Sequence, residues 1–142
     1  MTTKDTWLLF SINSYKYALP SSSVQEIAQN EKVYRLPLVP PFISGLINYR
    51  GAPCTVIDPA ILFEEKNQES YLFLVINSND KNCLRISTVH KFVSGIIESI
   101  QEPTNSIKSH YYKGYLLIDT EKIPVLDADS FIEKTRRTLE NS

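Results

Sequence analysis

Paired carboxylates can act as a general acid and base, and Asp58 and Asp127 are the pair in this 142-residue chain that invites that test. Each follows an apolar strand-like run (Thr55-Val56-Ile57 and Pro124-Val125-Leu126) and precedes a helical signal. An Asp there accepts the unpaired N–H groups of the first helical turn, a role worth about 1 kcal/mol, so capping explains both without catalysis. His90 and His110 have no acidic or metal-ligand partner at strand or helix spacing and read as surface residues. Cys54 and Cys83 show neither paired-motif spacing nor a disulfide framework, and Cys54, between Pro53 and Thr55, reads as small core filler. There is no nucleophile elbow, phosphate-cradling glycine loop or zinc-binding helix motif. No catalytic residue, metal or cofactor is therefore expected.

The elements that must position these residues are mostly β. Trp7-Leu8-Leu9-Phe10-Ser11-Ile12 reads as a more fully buried strand. After the Asn13-Ser14 turn, Tyr15, Tyr17 and Leu19 alternate with Lys16 and Ala18 at the period of a half-buried strand. Further strands are expected over 33–36, 46–49, 52–57, 71–76, 83–87, 91–97, 115–118 and 122–126, with most of the eight prolines between runs. Asp58-Pro59 opens a short helical turn to Phe63, Asp129–Leu139 reads as a helix of about three turns, and 64–70 and 101–109 read as loops.

Composition sets outer bounds. Fifteen Lys and Arg against sixteen Asp and Glu give a net charge of −1, which disfavours a nucleic-acid binder held by phosphate neutralisation. Apolar residues at 42% and charged residues at 22% suit a folded single domain. The longest apolar run, Tyr71–Ile76, is far short of the roughly 20 residues of a membrane-spanning helix, and the N-terminus carries no secretory pattern, so a reduced cytoplasmic setting is expected.

An internal duplication refines this. Gly45, Val56, Ile57 and Asp58 lie over Gly114, Val125, Leu126 and Asp127 at a constant offset of 69 residues. Upstream, Ala18-Leu19, Ser22-Ser23-Val24 and Ile27 lie over Cys83-Leu84, Ser87-Thr88-Val89 and Phe92 at an offset of 65. Two β units, 15–66 and 71–132, are expected, with the N-terminal strand open to sharing between them. Each is too small to be comfortable alone, so an apolar seam between them is expected. The repeat also isolates what the fold does not demand. Asn48-Tyr49-Arg50-Gly51 stands opposite Leu117-Ile118-Asp119-Thr120, which makes Arg50-Gly51 a recognition candidate.

At this stretch the chain resembles the CheW family of chemotaxis coupling proteins. The carrying residues are Trp7–Phe10, Tyr17-Ala18-Leu19-Pro20, Val24-Gln25-Glu26-Ile27, Leu36-Pro37-Leu38-Val39-Pro40, Gly45-Leu46-Ile47-Asn48-Tyr49-Arg50-Gly51 and Val56-Ile57-Asp58. The resemblance implies an all-β fold of two packed five-stranded SH3-like barrels, with short helical turns and a C-terminal helix, in a single domain over 1–142. It implies a non-catalytic adaptor between the signalling tips of methyl-accepting chemoreceptors and the regulatory domain of the histidine kinase CheA. Other CheW-like proteins are further candidate partners; nucleic acid and direct membrane insertion are not expected, and the adaptor would work in the cytoplasm at membrane-associated receptor arrays. Carried over by motif, the receptor-facing residues are Val24, Glu26, Asn48, Tyr49, Arg50 and Gly51. Where the family commonly has Gly-Leu-Leu-Val-Asp in the second hairpin, this chain has Cys83-Leu84-Arg85-Ile86-Ser87-Thr88. That departure supports an alternative role, a receptor competitor or array spacer without normal kinase coupling.

Overall fold

The apolar runs become strands because two different cores claim their two faces. In a computed structural model that describes residues 5–99 and 106–140, the chain forms β1 (Asp5–Ile12), β2 (Tyr15–Pro20), β3 (Val24–Gln29), β4 (Ile43–Tyr49), β5 (Ala52–Ile57) and the short helix α1 (Pro59–Leu62). The series then repeats as β6 (Leu72–Ile76), β7 (Asn82–Ile86), β8 (Thr88–Gly95), β9 (Tyr112–Ile118), β10 (Glu121–Leu126) and the longer helix α2 (Ala128–Glu140). On β1, Trp7 and Leu9 point into one barrel while Leu8, Phe10 and Ile12 point into the contact between barrels. On β6, Phe73 and Val75 fill the other barrel while Leu74 and Ile76 face the same contact. A strand buried on both faces needs a continuous apolar sequence, which is what both runs have.

The described strands make two five-stranded sheets, ordered β8-β1-β2-β10-β9 and β3-β6-β7-β5-β4. They fit two SH3-like barrels. Exchanging each strand for its repeat equivalent converts one order into the other. Each sheet, however, takes its first hairpin from one sequence unit and its other three strands from the other unit. β1 and β2 join β8, β9 and β10, while β6 and β7 join β3, β4 and β5. The segments 15–66 and 71–132 are thus interlocked, each contributing to both sheets. β1 pairs with β2 on one side and β8 on the other, and parallel contacts β2–β10 and β5–β7 stitch the units together.

The duplication extends to irregularities. Gln25 in β3 and His90 in β8 are the unpaired residues of matching bulges, and so are Ser44 in β4 and Lys113 in β9. Gly45 and Gly114 lie where the carbonyl of a neighbouring connection, of Tyr34 or Glu98, comes so close that a Cβ would collide with it. Each approach is fixed by a pair of backbone hydrogen bonds, Tyr34 with Leu46 and Glu98 with Tyr115, all 2.7–2.8 Å. A bulge re-aims side chains and sharpens twist, so its recurrence at matching positions marks an inherited curvature.

The seam is the largest apolar cluster and includes Leu8, Phe10, Tyr17, Leu19, Ile57 and Leu84 together with Phe131 and Ile132 of α2. A fully buried side chain of this size contributes about 1.5–3 kcal/mol, so the seam joins the barrels firmly. A 3-10 turn over Ile107–Tyr111 closes one end of it. There the Lys108 ammonium is 2.7 Å from Glu65 and 3.8 Å from the centre of the Tyr15 ring, while Tyr111 stacks on Phe131 at 4.5 Å.

Four sequence expectations differ from the structure. Residues 33–36 form no strand, only the single bridge at Tyr34, because two proline-rich steps follow. β3 was not expected, since its bulge at Gln25 disrupts the alternation. The expected loop 101–109 contains the start of the 3-10 turn; residues 101–105 lie outside the described residues. The C-terminal helix runs Ala128–Glu140, one residue longer at each end than expected.

Candidate partner-binding site

The β4–β5 hairpin turns on Arg50 and Gly51, both left-handed with φ of 52° and 83°. Two consecutive residues of that kind make the tight turn whose twist matches antiparallel strands. Asn48 stabilises it by accepting the Gly51 N–H on its side-chain oxygen at 2.9 Å. The equivalent turn in the other barrel uses Asp119 and Thr120, with φ of 49° and 70°. Left-handed backbone favours Gly, Asn and Asp. Asp119 fits that preference and Arg50 does not, so the geometry alone does not account for an arginine there.

Barrel closure brings β3 against this turn. The Arg50 Nη2 donates to Glu26 Oε1 at 3.3 Å, and the guanidinium carbon is 5.4 Å from the centre of the Tyr49 ring. Tyr49 is buried among Ile47, Cys54 and Phe73, with its ring filling the barrel under the arginine. The Tyr49 hydroxyl, and after it the Arg50 guanidinium, hold the Glu26 carboxyl below the usual carboxylate range; the Tyr49 phenol is pushed up in turn by Glu26. The Arg50 side chain remains 71% exposed. An ion pair so open to water adds little to folding. What it does is hold a guanidinium in a fixed direction at the barrel surface, above an aromatic floor.

The structure therefore brings Glu26, Tyr49, Arg50 and Gly51 together, with Asn48 setting the turn. Val24 stands apart from them at the other end of the β3 bulge, half-buried against the seam. Sequence spacing could isolate Arg50 but not its partner, because the Glu26 contact spans 24 residues and depends on barrel closure.

The remaining chemistry-bearing residues are committed to structure. Asp58 is 3% exposed and accepts the Ala60 N–H at 3.0 Å and the Gln68 side-chain N–H at 2.8 Å. Burial raises its pKa, with these hydrogen bonds opposing the shift. Asp127 accepts the Asp129 N–H at 3.2 Å and the Ser130 hydroxyl at 3.1 Å. Cys54 and Cys83 are fully buried in one barrel, and the Cys83 thiol is pushed up by its contact with Cys54 and by burial. His90, exposed at its bulge, reaches Ser11 with 2.6 Å between Nε2 and Oγ. Among the described residues, no group of three or more His, Cys, Asp or Glu side chains could hold a metal ion.

Comparison with known proteins adds four findings. A family model described as a CheW-like domain matches residues 6–136. The chemotaxis protein CheW of Bacillus subtilis is 38% identical over 56 residues, covering 39% of this chain and 36% of that protein. The chemotaxis protein CheW of Klebsiella aerogenes is 29% identical over 79 residues, covering 54% and 48%. These alignments thus span between about a third and a half of the curated relatives' length. The crystal structure of the scaffolding protein TtCheW from Thermoanaerobacter tengcongensis is similar in fold, with a TM-score of 0.78, 24% identity, and coverage of 87% of this chain and 88% of that one.

Proposed function

The chain belongs to the family of CheW-like domains, and on that premise we propose that it is a non-catalytic chemosensory adaptor linking methyl-accepting chemoreceptors to the regulatory domain of the histidine kinase CheA. The observation that carries this reading is Arg50: an exposed guanidinium on a left-handed turn residue, oriented by Glu26 and Tyr49. A receptor tip presents helices, and a helix docks by laying an apolar stripe in a groove while charges at the rim set register. Val24, half-buried at the seam, supplies apolar surface, and Glu26, Asn48, Arg50 and Gly51 supply the rim over the buried Tyr49 ring. The interlocked barrels favour such a role, since a rigid platform loses little entropy on binding.

The adaptor would act as one CheW-like domain over the whole chain, in the cytoplasm, recruited to receptor arrays at the membrane through its partners. Among the described residues no helix is long and apolar enough to cross a membrane. The direct test mixes the purified chain with a receptor cytoplasmic fragment and the CheA regulatory domain, followed by size-exclusion chromatography. Co-migration of all three supports the coupling role. Binding to receptor alone supports the competitor or spacer role, and binding to neither rejects both.

A further inference from the structure

A cleft of about 640 Å³ opens between the 32–44 connection and residues 67–71, on residues that the Arg50 cluster does not use. Leu36, Val39 and Tyr71 form apolar walls, and the charged side chains around it are Lys32, Arg35, Arg85 and Asp58. Asp58 is buried at the floor, where one carboxyl oxygen accepts from both Ala60 and Gln68, so the exposed charges at the mouth, Lys32 and Arg35, are cationic. Among the described residues, none of the three cations forms an ion pair. Arg85 is half-buried on β7, with its Nε–H donated to the Ser70 carbonyl at 2.8 Å and its guanidinium 5.2 Å from the centre of the Tyr71 ring. Its four Nη–H donors have no acceptor in the described chain, although that fork matches a carboxylate bidentately. The Gln68 side chain, bonded to Asp58 and to the Arg85 carbonyl at 2.8 Å each, fixes the floor beneath it. Beside the cleft, Leu38 holds a left-handed backbone (φ 61°) and is 99% exposed. A branched side chain in that conformation stores strain, and here the strain sets an apolar side chain in water next to a cationic cleft.

We propose that this cleft docks an acidic side chain carried on an extended segment of a partner protein, with Arg85 gripping the carboxylate, Arg35 and Lys32 at the rim, and Leu38 covering the neighbouring apolar residue. Charge complementarity and the unused Arg85 donors select this occupant over a basic or purely apolar one. The surface is separate from the Arg50 site, so one adaptor could hold two partners at once.

The test is an NMR titration of the full chain with N-acetyl-Leu-Glu-Leu-amide, with N-acetyl-Leu-Gln-Leu-amide and free glutarate as comparisons. The acidic peptide should move the Arg85 Nε–H and the Gln68 and Tyr71 amides, and bind about tenfold or more tighter than either comparison. R85Q and the exposed-site variant R35A should each weaken it by about fivefold or more, with receptor capture through Arg50 unchanged. No shifts at about 10 mM peptide, equal binding of the glutamine peptide or of glutarate, or an unaffected R35A would overturn the proposal. If R85Q fails to fold, R35A decides alone.

Discussion

Arg50 and Asp119 occupy the same position of two equivalent hairpin turns, with φ of 52° and 49°, and carry opposite charges. Their strand neighbours are reversed as well: Glu26 lies beside Arg50, and its repeat equivalent is Lys91. Two copies of one structural unit have thus kept the backbone and inverted the electrostatics. An Asn at position 50 suits left-handed backbone better than Arg does. Arg50→Asn is therefore expected to leave the melting temperature equal to or slightly above that of the wild type, while weakening receptor capture. A thermal melt alongside a pull-down checks both halves.

Asp58 gives a pH-dependent prediction. Burial raises its folded pKa above the usual Asp value, so the protonated form is the one the fold prefers. The contribution is fully present below the usual value and is lost as pH rises through the raised one. Asn at 58 keeps an oxygen for Ala60 and Gln68 but cannot ionise. Denaturant titrations should show wild type gaining stability relative to Asp58→Asn as pH falls through that window, and a constant difference would contradict the assignment. Asp58→Ala, which strands Gln68 and the Ala60 N–H, should cost about 1–3 kcal/mol at neutral pH and more as pH falls through that window.

Gly45 and Gly114 are under the same constraint. A methyl group at either would strike the carbonyl of Tyr34 or Glu98, and Gly45 also has φ of 140°. Each Gly→Ala change should destabilise the chain by about 1–3 kcal/mol, measurable as a lowered urea midpoint, with Gly45 the costlier. In contrast, Gly51→Ala meets no atom within 4 Å and should cost only the strain of its φ.

Much of this was legible from residue order, for identifiable reasons. The continuous run at Trp7 called for a fully buried strand, and the duplication called for a seam; both are present in the Leu8, Leu74 and Leu84 cluster. Asp58-Pro59 marked its helix because capping is local chemistry. Periodicity identifies strands but not their partners, so the exchange of hairpins between units was out of reach. So was the link between Lys108 and Glu65, a contact across 43 residues set by the 3-10 turn. Arg85 registered only as a charge in an apolar strand. Its cleft depends on the 32–44 connection lying alongside β7, which no local pattern encodes.

The most direct test of the adaptor reading reverses the charge at one exposed site. Arg50→Glu removes the Glu26 pair and sets two carboxylates side by side at the surface, where the fold has little at stake. With circular dichroism and melting temperature unchanged, affinity for a receptor cytoplasmic fragment should fall by about tenfold or more, while binding to the CheA regulatory domain is retained. Undiminished receptor affinity in a folded Arg50→Glu protein would contradict the account, and so would an Arg50→Glu protein that no longer folds.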